Sequence, residues 1–176
     1  MKFNNVEIKA KYYDLGYARE ILKSKNADFK GKDFQRDTYF NFIDGKLKIR
    51  EGNIENNLIY YKRENEEIKK AKGLIFPLGN NKSLKEKLAE GLGILITIEK
   101  EREIYFIDNV KFHLDKILNL GNFIEIEAIN YENILEEKLK EQVDCYVNLF
   151  KIQKENLIKE SYSDLLLTKT MPTPAS

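Results

Sequence analysis

The sequence predicts an α+β domain in which an antiparallel sheet or barrel carries helices packed on its outside. Three observations lead there. Apolar and charged residues alternate along about eight short segments, the period-2 pattern of strands with one polar face. The segments come in consecutive pairs joined by short turns, so neighbours run antiparallel. Helical spacing is confined to a few separate stretches, and the 176 residues suit one domain with a single core.

In chain order, Val6-Glu7-Ile8-Lys9-Ala10-Lys11 alternates apolar with charged and reads as the first strand. Asp14 caps a helix through about Ser24, with Ala18, Ile21 and Leu22 at helical spacing. Asp37 to Phe42 is rich in strand-favouring side chains. Ile43-Asp44-Gly45 then supplies a hairpin turn, and Lys46 to Arg50 alternates again. Leu58 to Arg63 is a further strand. Lys62 to Lys72, with Lys69, Lys70 and Lys72, reads either as a mobile lid or as a plain solvated loop. Phe76 to Lys82 is a loop, because Pro, Gly and Asn cluster there. Ser83-Leu84-Lys85-Glu86 is a capping box, starting a helix from Leu84 to about Glu90 that Gly91 closes. Leu95 to Arg102, Ile104 to Ile107, Val110 to Asp115 and Phe123 to Ala128 complete the strands. A long helix is predicted from about Asn133 to Phe150, burying Leu135, Leu139, Val143, Val147 and Phe150, with Ile134 and Tyr146 at its edges. A shorter one follows near Lys154 to Leu167. Residues 1–167 form one domain, and 168–176 read as a disordered tail.

Composition narrows the function. Lys and Arg number 30 and Asp and Glu 29, a formal net charge of +1, which argues against a globally basic nucleic-acid binder. No apolar run approaches the roughly 18 residues of a membrane span. The N-terminus has no apolar signal core, and the single Cys145 forms no internal disulfide, so a soluble cytoplasmic protein is expected. Cys145 reads as packed on its helix. Tyr12, Tyr13 and Tyr17 read as packing between helix and sheet.

The charged residues, 34% of the chain, are sorted by strand. Asn5, Glu7, Lys9 and Lys11 share one face, because side chains two apart point the same way. Lys46, Lys48 and Arg50 do so on another strand, and Lys100 and Arg102 end a third. Lys111, His113 and Asp115 line a fourth, with Glu125 and Glu127 on a fifth. Two readings follow. These faces are solvated and oppose aggregation, or the sheet closes and turns them inward around a polyanion and metal ions. A barrel of about eight strands has room for one ligand. Lys and Arg would grip phosphate oxygens, while carboxylates would hold Mg²⁺ or Mn²⁺. His113, the single histidine, sits in a strand and reads first as structural.

At these residues the sequence resembles the CYTH superfamily, the triphosphate tunnel metalloenzymes, and within it the bacterial class IV adenylate cyclase branch. The resemblance covers roughly Asn5 to Leu167. Asn5-Val6-Glu7-Ile8-Lys9 matches an N-terminal Glu-x-Glu-x-Lys strand. Gln35-Arg36-Asp37-Thr38-Tyr39-Phe40 precedes Gly45-Lys46-Leu47-Lys48-Ile49-Arg50-Glu51, then Leu58-Ile59-Tyr60-Tyr61-Lys62-Arg63 and Lys100-Glu101-Arg102. Val110-Lys111-Phe112-His113-Leu114-Asp115 leads through Leu120-Gly121-Asn122-Phe123 into Ile124-Glu125-Ile126-Glu127. Ser161 to Leu166 resembles the branch's C-terminal segment. Order and spacing carry the match, since each piece alone is weak.

The resemblance implies an eight-stranded antiparallel barrel whose lumen binds a triphosphate and a divalent metal, Mg²⁺ or Mn²⁺. It puts Glu7, Glu125 and Glu127 on the metal-binding carboxylates, with Asp115 and Asn5 as weaker candidates. Lys9, Lys48, Arg50, Lys100 and Arg102 fall on phosphate-gripping positions, joined by Lys11, Lys46 and Lys111. Of the adjacent Lys62 and Arg63, Arg63 shares the inward parity of Tyr61. Glu7, Lys9, Arg50 and Lys100 are the expected catalytic set. Asn5 replaces the first glutamate of the signature, and its amide oxygen remains an available, uncharged ligand. The implied reaction is cyclisation of ATP to 3′,5′-cyclic AMP and pyrophosphate. The alternatives are hydrolysis of tripolyphosphate, thiamine triphosphate or a nucleoside triphosphate, and binding without turnover. A homodimer is the assembly the branch suggests, with neither nucleic acid nor membrane as partner.

Overall fold

Alternation gives each strand two faces, and this chain uses them for different purposes. A computed structural model describes residues 2–63, 69–79, 83–131 and 134–170; of these, the side chains of 2–4, 63, 69–71 and 170 lie outside the description. Among the described residues there are eight strands: β1 (Lys2–Lys11), β2 (Asp28–Phe40), β3 (Lys46–Glu51), β4 (Asn57–Arg63), β5 (Lys69–Pro77), β6 (Ile94–Ile107), β7 (Val110–Ile117) and β8 (Gly121–Ala128). They form a closed barrel in the order β1-β5-β4-β3-β2-β6-β7-β8. Every pairing is antiparallel, and β1 closes the ring by pairing with both β5 and β8. Closure removes the exposed edges that an open sheet would carry.

The count of eight agrees with the sequence for an uneven reason. The expected strands at Leu95–Arg102 and Ile104–Ile107 are one, β6, whose partner β2 begins well before Asp37. The eighth strand is β5, which runs through Lys69, Lys70 and Lys72 and on into Phe76 and Pro77. The Lys62–Lys72 stretch is therefore mostly strand, with residues 64–68 outside the described ones.

Four α-helices are described: α1 (Leu15–Ser24), α2 (Ser83–Leu92), α3 (Glu136–Leu149) and α4 (Tyr162–Thr170). Asp14 caps α1 as expected, its carboxylate accepting from the Tyr17 N–H at 2.9 Å. Helix α2 ends at Gly93 and not at Gly91: Gly93 has φ +73°, and its N–H donates to the Ala89 carbonyl. The segment after α3 is broken, with a 3-10 turn at Lys154–Asn156 and a bridge from Leu157 to Ala10 before α4. Helix α4 reaches Thr170, past the expected boundary at 167, while 171–176 lie outside the described residues.

The main core lies outside the barrel. Val6, Ile8, Ala10, Val110, Phe112, Leu114, Ile124, Ile126 and Ala128 face outward and bury against Leu15, Ala18 and Leu22 of α1 and Leu139, Val143 and Phe150. Each such leucine, isoleucine or phenylalanine contributes about 1.5–3 kcal/mol by leaving water. Leu135 is exposed, so the stripe of α3 is narrower than its spacing suggests, and Cys145 is exposed on the same helix. Tyr12 packs on Phe150 and donates to its carbonyl, whereas Tyr13 and Tyr17 point to solvent. A second cluster closes one end of the lumen, where Tyr39, Ile98, Ile117 and Phe123 meet Ile158 and Tyr162.

Candidate active site

The parity that sends apolar side chains outward sends charges inward. Lys9, Lys48, Arg50, Lys100, Arg102, Lys111, His113, Glu7, Glu125 and Glu127 line one cavity of about 120 Å³, together with Glu55, Tyr162 and the β4–β5 wall. Of the predicted phosphate-binding residues, Lys9, Lys48, Arg50, Lys100, Arg102 and Lys111 are thus brought together. Lys11 is exposed and stands clear of the cavity. Lys46 turns to α4 and pairs with Asp164 at 2.5 Å. The side chain of Arg63 lies outside the described ones, while Tyr61 is buried and Lys62 is exposed and bonded to Asp44.

The lumen supplies its own counter-charges. Asp37, fully buried, accepts from Lys48 at 2.7 Å, from Arg50 at 2.8 and 3.0 Å, and from Lys100 at 3.1 Å. Burial alone would raise this carboxyl, but Arg50, Lys100 and Lys48 together hold it well below the usual carboxylate range. Asp115 receives Arg102 through two bonds and the Tyr162 hydroxyl at 2.8 Å. That engagement makes Asp115 the anchor of Arg102. Glu125 accepts from Arg102 at 2.7 Å and lies 3.2 Å from Lys9 and 3.1 Å from His113 Nδ1. Glu55 takes Arg50 and Lys111, each at 2.6 Å.

Asp37, Glu55 and Tyr162 were missed in the sequence. Asp37 had a signal, because it shares parity with Tyr39 on β2. Glu55 had none, since it reaches in from the β3–β4 loop. That loop is held by Asp33, which accepts from the Ile54 and Glu55 N–H groups at 2.8 and 3.0 Å. Gly52 is required there: a Cβ would sit 2.6 Å from Asp33 Oδ1.

The crowding of cations is visible in Lys100. Burial first, then Arg102 and Arg50, push its pKa from the ordinary 10.5 to about 8, against the pull of Asp37 and Asp115. A base with a depressed folded pKa binds fewer protons folded than unfolded between those values, so stability rises with pH there. The unfolding free energy of the wild type relative to Lys100→Met is therefore expected to increase from pH 7.5 to 10. A constant difference in urea midpoints across that range would contradict this.

The acidic end is arranged differently. Glu7 and Glu127 stand directly opposite each other on β1 and β8. Burial raises the Glu127 carboxyl above its ordinary value, Glu7 and Glu125 add to this, and Lys111 opposes it. Two like charges on facing residues form a site that a divalent cation relieves, and oxygen is the donor that Mg²⁺ and Mn²⁺ prefer. Among the described residues no ready-made group of three His, Cys, Asp or Glu ligands is present. Asn5 departs from expectation. Its Nδ2 donates to Glu127 at 2.7 Å, and its Oδ1 accepts the Asn130 N–H at 3.3 Å. The amide thus turns a donor to the acidic site and spends its oxygen on the backbone.

A family model for the CYTH domain matches residues 4–162. The chain belongs to the CYTH family. CYTH proteins are metal-dependent and bind triphosphates, which accords with a barrel holding cations and paired carboxylates on its inner face. A Methanocaldococcus jannaschii protein named "Putative adenylate cyclase" is 30% identical over 169 residues, 91% of this chain and 97% of that protein. The same CYTH fold is seen in a Pyrococcus horikoshii protein, TM-score 0.81 at 21% identity, covering 92% of this chain and 98% of the other. A Hippeastrum "putative adenylyl cyclase", described as revealing a dominant triphosphatase activity, matches at TM-score 0.59 and 13% identity, over 97% and 98% of the two chains. No helix of the described CYTH domain is long and apolar enough to cross a membrane.

Proposed function

We propose that the protein is an adenylate cyclase of class IV type, converting ATP to 3′,5′-cyclic AMP and pyrophosphate in the barrel lumen with Mg²⁺ or Mn²⁺. One observation carries this reading: six cationic side chains line the cavity that also holds Glu7 and Glu127. A triphosphate needs the first set, and a divalent cation needs the second. The name of the Methanocaldococcus relative supports ATP cyclisation over other triphosphate chemistry.

In that reaction the ribose 3′-hydroxyl gives up its proton as its oxygen bonds to the α-phosphorus, and the bond from that phosphorus to the bridging oxygen breaks, releasing pyrophosphate, with the proton passing to it or to solvent. The protein's part is positioning and charge neutralisation more than covalent chemistry. Arg50 and Arg102 offer planar forks for paired contacts with phosphate oxygens, and Lys9, Lys48, Lys100 and Lys111 offer single charges. Asp37 holds Lys48, Arg50 and Lys100 in place before the ligand arrives, Asp115 holds Arg102, and Glu125 and Glu55 pair with Lys9 and Lys111. Glu7 and Glu127, with Glu125 beside them, would hold the metal, which when bound neutralises phosphoryl charge and acts as a Lewis acid. The direction in which the cations lay the triphosphate decides which phosphorus meets the nucleophile.

A triphosphatase is the second reading, supported by the activity described for the Hippeastrum protein. There a water would attack the γ-phosphorus. Incubation with ATP and Mn²⁺, with products resolved, separates the readings. Cyclic AMP and pyrophosphate are expected. ADP and phosphate would replace the cyclase by the triphosphatase, and tight binding without turnover would leave a binding module.

Asn5 tunes the metal site on this reading. Asn5→Glu replaces a donor facing Glu127 with a carboxylate, and Mn²⁺ affinity is expected to rise about tenfold, the scale seen for groups that support a metal's ligands. Calorimetric titration of Mn²⁺ onto both proteins checks this, and equal affinities would contradict it.

A further inference from the structure

His113 carries an atom that the chemistry above leaves unused. It sits on the inner face of β7, opposite Glu125 in register, is 4% exposed and lines the cavity. Its Nδ1 lies 3.1 Å from Glu125 Oε2. Glu125 also receives Arg102 at 2.7 Å and lies 3.2 Å from Lys9, two cations whose pairing with it makes it the carboxylate partner here. An ionised carboxylate only accepts hydrogen bonds, so the imidazole proton lies on Nδ1 and Nε2 is a bare lone pair. Among the described residues Nε2 has no hydrogen-bond partner.

A buried acceptor without a donor is unfavourable, and a site that leaves one open is shaped for a ligand that fills it. A phosphate oxygen cannot, because it too is an acceptor. An inorganic polyphosphate at neutral pH offers almost nothing else. The opposite wall adds a second feature of the same kind. Ile59, Tyr61 and Ile75 present apolar and aromatic surface to the cavity beside the Asn57 amide, which a polyphosphate cannot use and a nucleoside can. An O–H donor joined to an apolar ring system is the chemistry of a nucleoside.

We propose that His113 Nε2 accepts a hydrogen bond from a sugar hydroxyl of a bound nucleoside triphosphate, and so is the residue by which the lumen prefers nucleotides to inorganic polyphosphate. This rests on the triphosphate reading of the lumen and names the part of the substrate that His113 meets. Two substitutions separate the two ring nitrogens. His113→Asn keeps an N–H near the Nδ1 position for Glu125 and removes the acceptor. His113→Gln places an amide oxygen near the Nε2 position.

Affinities are measured calorimetrically in EDTA, where metal-dependent turnover is absent, for ATP, 2′,3′-dideoxy-ATP and inorganic tripolyphosphate. His113→Asn is expected to weaken ATP about five- to tenfold, the span of one hydrogen bond, while tripolyphosphate changes less than about twofold on the same scale. Dideoxy-ATP is expected to bind wild type and His113→Asn alike, and His113→Gln to recover part of the ATP affinity. Equal losses for ATP and tripolyphosphate, or for ATP and dideoxy-ATP, overturn the proposal. So does a loss of Mn²⁺ affinity in His113→Asn without nucleotide, which would make Nε2 a metal ligand. If His113→Asn does not fold, the wild type decides: equal affinity for ATP and dideoxy-ATP overturns the proposal. Failure of the wild type to bind either ATP or tripolyphosphate would instead refute the triphosphate reading itself.

Discussion

Asp37→Asn is expected to lower the unfolding free energy of the ligand-free protein by about 3–5 kcal/mol, the cost of removing one partner from a buried charge cluster. Lys48, Arg50 and Lys100 all converge on this carboxylate. Asparagine keeps the shape and loses the charge, so three cations are left to repel one another in a buried space. The two lysines can respond by releasing protons. Burial already depresses both, and Asp37 opposes that at each, joined by Asp115 at Lys100. Arg50 cannot respond this way. A triphosphate in the lumen would replace the missing charge, so ligand is expected to stabilise the variant more than the wild type. A ligand at a hundred times its Kd stabilises by about 2.7 kcal/mol. Urea unfolding with and without tripolyphosphate in EDTA reads both effects. A loss under about 1 kcal/mol, within the range of ordinary single hydrogen bonds, would remove Asp37 from its central place.

Glu7→Gln is expected to move stability and activity in opposite directions. Facing like charges on neighbouring strands are unfavourable by about 0.2–1 kcal/mol, and Glu7 faces Glu127 in register. Removing one of them should stabilise the metal-free protein by that amount and bring the Glu127 carboxyl back toward its ordinary value. The same change removes an oxygen ligand from the proposed metal site. Turnover with Mn²⁺ is expected to fall at least about a hundredfold, at or beyond the upper end seen for groups that only support a metal's ligands. Thermal unfolding with EDTA and product formation with Mn²⁺ provide the two readouts. A variant that is both less stable and fully active would show that Glu7 is a structural acid with no part in metal binding.

How far the sequence reaches is best seen strand by strand. Lys48, Arg50, Lys100 and Arg102 were legible because the same alternation that marks a strand also sorts its faces. Alternation could not say which face was inside; the family motifs did. Strand β5 was hidden because Lys69-Lys70-Ala71-Lys72 breaks the period at its start and Pro77 suggests a loop at its end. Strand β6 was cut in two at Glu103, where the outward face also turns polar; Glu103 is satisfied there by Arg19 and the Tyr105 hydroxyl. Partnerships were the least legible layer. Lys46 and Lys48 look equivalent along the chain, yet one bonds to Asp164 of α4 and the other to Asp37. Only the folded path of residues far apart in sequence decides that.

With its apolar packing outside the ring, the barrel separates two kinds of constraint that most enzymes mix. Along β1, β7 and β8, neighbouring residues answer to different demands: Ile8, Phe112 and Ile126 hold the molecule together, while Glu7, Lys9, Lys111, His113, Glu125 and Glu127 meet the cavity. A change on the inner side alters charge and ligand fit without opening a hole in the packing, and a change on the outer side does the reverse. Away from the buried anchors Asp37 and Asp115, the lumen can therefore be rewritten for a new anion, one alternate position at a time, on a wall whose main apolar packing lies behind it.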